Sequence, residues 1–274
     1  MGTNIIGTLK RHPDFVSRFV AARNIDVWLP PGYDGKHPLP VIYMQDGHNL
    51  FDPAVSNGGE VWAMDRTVTR LAGDGVIPAA IVVGIWDTAR RFREYMPRKP
   101  LAMADEKRQA RFARENGGMP LSDAYLRFLI EEVKPLVDRT CLTQADRAHT
   151  FIMGSSMGAL LSLYALCEYP DVFGGAGCLS THWPAGDGIM VDYLKTALPQ
   201  PGRHRIYFDY GTQTLDALYE PYQMRVDKVM RATGCQEDRD WMTRRFEGAE
   251  HNERAWRERV EIPLKFLLSP WKRP

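Results

Sequence analysis

Apolar residues along the chain fall into two alternating patterns. Short continuous apolar runs are typical of strands buried on both faces of a parallel sheet, and they occur at residues 40–44, 77–86 and 151–153. Further strands are predicted at residues 174–179, 205–210 and 241–246. Between them lie segments with apolar residues at helical spacing, at residues 60–72, 122–137, 159–166 and 215–230 and in a terminal stretch to about residue 268. Strands that alternate with helices predict an α/β fold, with a mostly parallel central sheet and helices on both of its faces.

Two segments depart from this pattern. Residues 15–29 alternate in places and lead into Pro30-Pro31-Gly32-Tyr33, which predicts two antiparallel edge strands and a turn. Residues 90–120 contain nine Lys and Arg residues and few β-formers. We interpret them as a solvated excursion with a polar helix near 102–115, in preference to a flap whose arginines face an anionic or polar substrate. Because the chain shows no repeat, low-complexity stretch or linker, we expect one domain over residues 1–274 with a basic insertion at about 90–120.

Composition narrows the class of protein. Of the 274 residues, 44% are hydrophobic and 25% charged, which is enough apolar material for a sizeable core. The formal net charge of +1 argues against a nucleic-acid partner. No apolar run approaches the roughly 20 residues of a membrane span, and residues 1–10 lack the pattern of a secretory signal. The four cysteines form no C-x-x-C pair, so we expect reduced thiols in a cytoplasmic protein without a membrane partner. The oligomeric state stays open.

The sequence Gly154-Ser155-Ser156-Met157-Gly158 fits the motif G-x-S-x-G with Ser156 at its centre. An apolar run precedes it and a helix-forming segment follows it. This order of strand, tight turn and helix is the context of a nucleophile elbow, in which the glycines allow strand and helix backbones to approach closely. The motif therefore predicts Ser156 as a nucleophile, against the alternative of a small-residue turn that feeds a core helix.

A serine hydroxyl needs an adjacent base, and in α/β-hydrolases the order along the chain is Ser, acid, His. His251 lies just after the last predicted strand and before the final helix, where that base belongs. His204 precedes a strand and so lies at the opposite end of the sheet. His182 follows the strand next to the elbow, and we expect it to line the pocket with Trp183.

The acid should follow the strand before the last one. Asp216 lies a few residues beyond the end of that strand, in a loop that has to reach His251. Asp209 lies inside the strand, and Glu220 is a more distant third candidate. We prefer Asp216, although the same residue could instead be the N-cap of the next helix.

An oxyanion hole needs two donors. One is the backbone N–H of Met157, the residue after the nucleophile, and the other should come from Gly47 or His48 in the loop after the strand at 40–44. A plain Asx-type turn at Asp46 is the alternative for this loop. Four aromatic residues could form a wall for sugar or aryl groups: Trp62, Trp86, Trp183 and Tyr95. For Trp62 and Trp86, packing in the core is at least as good an explanation.

We expect no metal and no other cofactor. The histidines do not fall at H-x-x-x-H spacing, no cysteine pair accompanies them, and the chain has neither a G-x-G-x-x-G after a strand nor a P-loop.

Five segments resemble the family named Putative esterase, which includes the esterase D-like and enterochelin-esterase-like α/β-hydrolases. These segments are Tyr43-Met44-Gln45-Asp46-Gly47-His48-Asn49-Leu50-Phe51, Arg91-Phe92-Arg93-Glu94-Tyr95-Met96-Pro97, Gly154-Ser155-Ser156-Met157-Gly158, Tyr207-Phe208-Asp209-Tyr210-Gly211-Thr212 and Glu250-His251-Asn252-Glu253. The resemblance covers residues from about 15 to 268. It implies an α/β-hydrolase fold, Ser156 and His251 as nucleophile and base, and an acid in the stretch from Asp209 to Asp216.

These features predict a serine carboxylesterase that hydrolyses a small ester through an acyl-enzyme on Ser156 with a Ser-Asp-His triad. Acylated carbohydrates and aryl esters are the candidate substrates. An acyltransferase with the same triad is the first alternative, and transfer to glycerol in place of hydrolysis would identify it. The second alternative is a catalytically silent binding module, which would not take a fluorophosphonate label on Ser156.

Overall fold

The computed structural model describes residues 5–270, and in this part of the chain eight strands form one sheet in the order β1-β2-β4-β3-β5-β6-β7-β8. In chain order the strands are β1 (Thr8–Phe15), β2 (Arg23–Leu29), β3 (Val41–Gln45), β4 (Ile81–Ile85), β5 (Thr150–Ser155), β6 (Gly175–Leu179), β7 (Arg205–Gly211) and β8 (Trp241–Phe246). The pairs β1–β2 and β2–β4 are antiparallel. Every pair from β4 to β8 is parallel, so the predicted α/β fold is confirmed.

Helices cover both faces of the sheet. They are α1 (Met64–Gly73), α2 (Arg91–Tyr95), α3 (Arg98–Met103), α4 (Glu106–Asn116), α5 (Ser122–Phe128), α6 (Lys134–Thr140), α7 (Met157–Glu168), α8 (Ile189–Ala197), α9 (Glu220–Ala232), α10 (Glu253–Arg259) and α11 (Glu261–Leu268). Along β3, Val41 and Tyr43 belong to a core shared with α5 to α9, whereas Ile42 and Met44 belong to a second core shared with α1 and α11. This alternation is what a strand buried on both faces requires.

The first edge strand differs from the sequence prediction. Two strands were expected within residues 15–29, but β1 begins at Thr8 and residues 16–22 form the connection to β2. β1 is the outermost strand, and its side chains are mostly exposed or half-buried. A strand without a buried face carries no apolar alternation, so the pattern could not reveal it.

Prolines divide three of the predicted helices, because a proline inside a helix removes a backbone donor and clashes with the preceding turn. A π-helical turn (Leu129–Val133) separates α5 from α6 just before Pro135. A 3-10 turn (Thr214–Leu218) precedes α9, which has Pro221 in its first turn. The terminal helix is divided into α10 and α11, with Pro263 in the first turn of the latter.

The basic segment at 90–120 folds as α2, α3 and α4. Most of its cations contact groups of the same chain: Arg93 donates to the carbonyl of Met119 at 2.9 Å, and Arg111 pairs with Asp187 at 3.0 Å. The single-domain assignment over 1–274 stays a prediction, and the two ends of that range lie outside the described residues. Within residues 5–270, no helix has both the length and the apolar character that a membrane crossing requires. The cytoplasmic location also stays a prediction.

A buried ion pair joins the basic segment to the sheet. Arg23 in β2 donates to both carboxylate oxygens of Glu94 in α2, at 2.9 and 2.6 Å, and the two side chains are 0% and 1% exposed. Replacing Arg23 with Met leaves the Glu94 carboxylate buried without its counter-ion. We expect Arg23→Met to lower the free energy of unfolding by about 3–5 kcal/mol in chemical denaturation.

Arg18→Met is the matched control for this prediction. Arg18 pairs with Glu132 at 3.0 Å, but its side chain is 72% exposed, and exposed ion pairs contribute little. If the two variants lost the same stability, burial would not be what makes the Arg23–Glu94 pair important.

Candidate active site

The strand-to-helix turn at Ser156 has the geometry of an elbow. Ser156 lies at φ 56° and ψ −123°, a strained backbone conformation for a residue with a side chain. Its N–H donates to the carbonyl of Leu179 at 3.0 Å, which ties the turn to the neighbouring strand β6. A side chain at Gly154 would lie 2.8 Å from the backbone of Gly158, so strand and helix can approach this closely only with glycine at that position.

His251 lies in the loop between β8 and α10, and Asp216 lies in the 3-10 turn after β7. The Nδ1 of His251 is 2.5 Å from Oδ1 of Asp216. Since an ionised carboxylate can only accept a hydrogen bond, this contact places the proton on Nδ1 and leaves Nε2 with the lone pair. Burial alone would raise the pKa of Asp216, but hydrogen bonds from His251, Ser180 and the N–H of Gly211 hold that pKa below its ordinary value.

Two loops must touch for this pair to form. A side chain at Gly211 would lie 2.2 Å from the carbonyl oxygen of Ala249, so glycine is required where the end of β7 meets the His251 loop. The N–H groups of Thr212 and Gln213 both donate to that carbonyl, at 3.1 and 3.0 Å. The N–H of His251 donates to the hydroxyl of Thr214 at 2.9 Å. Asp216 is therefore carried to His251 by backbone contacts between the loops.

The two other candidate acids make different contacts. Asp209 is buried in β7 and accepts hydrogen bonds from Arg259 at 3.0 Å and from the hydroxyl of Tyr207 at 3.0 Å. Glu220 lies beside Arg245 at 3.4 Å, with its side chain 49% exposed. Of the three carboxylates considered, Asp216 is the one in contact with the ring of His251.

The candidate oxyanion donors lie on two helix starts. Met157 begins α7 and Gly47 begins a 3-10 turn (Gly47–Asn49), and the first N–H groups of a helix have no partner within it. In that turn, the N–H of Asn49 donates to the carbonyl of Asp46 at 2.9 Å. The N–H groups of Met157, Gly47 and His48 therefore lie at helix positions that have no hydrogen-bond partner within the helix.

The fold requires glycine at position 47. In the structure, a side chain at Gly47 would lie 2.4 Å from the backbone of Gly84, so the close approach is to strand β4.

The cleft in front of Ser156 has a volume of about 230 Å³, and its lining is mostly polar. It is formed by Ser155, Ser156, His251, Trp256, Arg91, the carboxylates Asp46, Asp87 and Glu253, and the amides Asn49 and Asn57. The Asn49 side chain donates to Glu253 at 3.0 Å, so the polar lining is itself hydrogen-bonded.

Arg91 is the cation of the basic segment that reaches this cleft. Its Nε and Nη2 donate to the two carboxylate oxygens of Asp46, both at 2.7 Å, and its guanidinium lies 5.0 Å from the ring centre of Tyr95. Although burial lowers it, the carboxylate of Asp46 raises the pKa of Arg91 above its ordinary value. Burial raises the pKa of both Asp87 and Glu253.

Of the three residues predicted to contact substrate, one lies beside Ser156 and two are buried in the core. His182 is next to Ser156, because its N–H donates to the carbonyl of Ser156 at 3.2 Å, and burial lowers the pKa of His182 to about 4. Trp183 is 1% exposed, and its indole N–H donates to Gln223 at 3.1 Å. Tyr95 is 0% exposed, and its hydroxyl accepts a hydrogen bond from the N–H of Asp46 at 3.3 Å. A direct substrate contact by Trp183 or Tyr95 therefore does not fit this geometry, because core packing covers both side chains.

The aromatic residue on the cleft is one that the sequence interpretation missed. The ring of Trp256 lies 5.0 Å from that of His251, edge to face, and 5.5 Å from that of Trp62. Asp87 was also missed, although it follows β4 at the carboxyl edge where sites in parallel sheets form. Trp86, expected in the aromatic wall, instead donates to Asp26 at 2.9 Å.

Among residues 5–270 there is no group of three or more His, Cys, Asp and Glu side chains that could hold a metal ion.

The sheet order and the neighbouring solved structures define the α/β-hydrolase fold. A ferulic acid esterase from Anaeromyces mucronatus superimposes with a TM-score of 0.68 at 18% identity, over 94% of this chain and 89% of the other. This similarity concerns the fold alone.

Sequence comparison identifies the family. The model of the family described as Putative esterase matches residues 17–262, so the chain belongs to that family and is a carboxylic ester hydrolase. It is 32% identical to the ferri-bacillibactin esterase BesA of Bacillus subtilis over 161 residues, or 56% of this chain and 50% of that protein. It is also 26% identical to the B. subtilis protein YbbA over 195 residues, or 70% and 68% of the two chains.

The contact between the Asp46–Asn49 loop and β4 leads to a prediction. Because a methyl group at Gly47 would overlap the backbone of Gly84, we expect Gly47→Ala to lower the free energy of unfolding by about 3 kcal/mol and to displace this loop. Gly73→Ala is the control, since a side chain there meets open space at the end of α1. Denaturation curves in which both variants match the wild type would contradict the proposed close packing.

Proposed function

We propose that the protein hydrolyses its ester through an acyl-enzyme on Ser156, with His251 as base and Asp216 as the acid that orients it. The observation that carries this proposal is the 2.5 Å contact between Asp216 Oδ1 and His251 Nδ1, beside a serine held at a strained elbow. That arrangement gives His251 the tautomer in which Nε2 can accept a proton.

The proposed reaction has two halves. The Oγ of Ser156 attacks the ester carbonyl while Nε2 of His251 takes its proton, and the imidazolium that forms is stabilised by Asp216. His251 then gives this proton to the leaving alcohol, and water activated by the same base hydrolyses the acyl-enzyme.

Charge on the carbonyl oxygen develops during attack and needs donors already in place. The N–H of Met157 lies at the positive end of α7, and the N–H groups of Gly47 and His48 lie in the turn after β3. We assign these groups to the oxyanion hole, with Gly47 or His48 as the second donor.

The substrate we propose is a small neutral ester of an aryl or carbohydrate group. The cleft is only about 230 Å³ in volume, and relatives are named as ferri-bacillibactin esterase and ferulic acid esterase. Three carboxylates line it against one arginine, and the Nε and Nη2 of Arg91 are already bonded to Asp46. This lining disfavours an anionic substrate.

Removing the nucleophile tests the mechanism. We expect Ser156→Ala to reduce kcat by several orders of magnitude, roughly 10³-fold or more, while the melting temperature stays close to that of the wild type. A fluorophosphonate should label the wild type once, at Ser156, as read by mass spectrometry of the digested protein. Retained turnover, or a label on another residue, would remove Ser156 as the nucleophile.

Substrate charge provides a second test. Between p-nitrophenyl acetate and p-nitrophenyl hemisuccinate, which carries a free carboxylate, we expect the neutral ester to have the higher kcat/KM by roughly tenfold or more. Glu253→Gln removes one cleft carboxylate and should narrow that ratio, as should high salt. Glu250→Gln is the matched control, because Glu250 pairs with Arg254 outside the cleft lining. A preference for the hemisuccinate would contradict the proposed neutral substrate.

A further inference from the structure

The carboxylate of Asp216 is held from both sides. Oδ1 faces His251, while Oδ2 accepts hydrogen bonds from the hydroxyl of Ser180 at 2.6 Å and from the N–H of Gly211 at 2.5 Å. The Nη2 of Arg259 lies 3.7 Å from Oδ2. Asp216 is 0% exposed, so these groups take the place that water has around an exposed carboxylate.

The hydroxyl of Ser180 has only one orientation that satisfies its neighbours. Its oxygen receives the indole N–H of Trp256 at 2.9 Å and the Nη2 of Arg259 at 2.7 Å. A hydroxyl has two acceptor positions and one proton. With both acceptor positions used by N–H donors, the proton of Ser180 is directed to Asp216.

Arg259 and Asp209 hold Ser180 in turn. The N–H of Ser180 donates to Oδ1 of Asp209 at 3.0 Å, and Nη2 of Arg259 donates to the same oxygen at 3.0 Å. Ser180 lies at φ 44°, a conformation that a serine adopts only under local constraint. Arg259 is 3% exposed and is the cation between two buried carboxylates, Asp209 and Asp216.

We propose that Ser180 and Arg259 are positioning residues, which keep the Asp216 carboxylate ionised and aligned with the Nδ1 of His251. Neither lines the cleft, so they act through Asp216 and not on the substrate. This inference rests on the proposed triad of Ser156, His251 and Asp216. It gives Ser180, at the start of the loop after β6, and Arg259, at the end of α10, the role of orienting the proposed acid.

The proposal fixes the direction of a pH effect. Arg259 is a buried positive charge near the Asp216–His251 pair, and it disfavours the binding of a further proton there. The hydrogen bond from Ser180 favours the ionised form of Asp216 in the same way. Removing either group makes proton uptake by the pair easier. The pH below which activity falls should therefore move to a higher value.

Other titratable groups face the same pair and are not substituted in these variants. Tyr219 contacts the ring of His251 at 5.8 Å between centroids, and burial raises its pKa. His182 follows β6 and Glu253 begins α10, and their pKa values are lowered and raised by burial, respectively. Burial raises the pKa of Asp209 as well, against the effect of Arg259.

The test is the pH dependence of kcat/KM for p-nitrophenyl acetate, from about pH 5 to 9. We expect the acid limb of Ser180→Ala and of Arg259→Met to move up by roughly one pH unit. The kcat of Ser180→Ala should fall roughly 10- to 100-fold, the loss of a hydrogen bond to a charged group. KM should change little. Arg259→Lys, which keeps the charge, should retain most of the wild-type profile.

Two controls separate positioning from loss of stability. Arg23→Met also removes a buried arginine, but one that pairs with Glu94 away from the triad, so its acid limb should stay at the wild-type pH. Ser180→Gly removes the hydroxyl without a side chain at the positive φ. Its acid limb should move as far as that of Ser180→Ala, because both variants lack the hydroxyl. If Arg259→Met does not fold, the acid limb of Ser180→Gly tests the positioning role in its place.

Asp216→Asn distinguishes a failure of the positioning role from a failure of the proposed triad. We expect it to reduce kcat by roughly 10⁴-fold, because an amide favours the wrong tautomer of His251. If it does so while the Ser180 and Arg259 variants keep the wild-type acid limb, the positioning role is wrong and the triad stands. If Asp216→Asn is silent, the triad itself is wrong, and this inference fails with it.

Discussion

A buried carboxylate must find hydrogen-bond donors or give up its charge, and this requirement at Asp216 connects four separate parts of the chain. The donors are Ser180 after β6, Gly211 at the end of β7 and His251 after β8, with Arg259 of α10 beside them. Each part reaches the carboxylate only if its strand and loop are in place. At its buried position, Asp216 can therefore stay ionised only when the carboxyl-terminal third of the molecule is folded.

The parallel sheet explains why these parts can meet. Strands β3 to β8 all end at the same edge, and the loops that leave this edge carry the proposed nucleophile, base, acid and oxyanion donors. Backbone contacts hold these loops in place, as where the end of β7 at Gly211 meets Ala249 and the turn at Gly47 meets β4 at Gly84. Glycine occupies positions 211 and 47 because a side chain there would overlap the facing backbone.

The sequence predicted those parts of the site that a local pattern specifies. The buried strands and the elbow around Ser156 follow from apolar runs and glycine spacing, and the place of His251 follows from its position after the last strand. Partners across the fold were not predictable in this way. Arg91 was one of nine cations in a polar segment, and only the three-dimensional structure shows it bonded to Asp46 in the cleft. Trp256 resembles any core aromatic residue of an amphipathic helix until its contact with His251 is seen.

The contrast between Asp209 and Asp216 shows why one of them suits the role of acid. Burial raises the pKa of Asp209 despite Arg259, so its charge opposes folding at neutral pH, and this cost disappears as pH falls through its raised pKa. Hydrogen bonds outweigh burial at Asp216 and lower its pKa. Its charge therefore favours folding at neutral pH, and that contribution is lost only as pH falls below the ordinary aspartate range. A group that accepts the Nδ1–H of His251 must remain ionised while the histidine gains and loses its proton. The fold keeps Asp216 ionised through hydrogen bonds from His251, Ser180 and the N–H of Gly211, and Ser180 also links this carboxylate to Asp209.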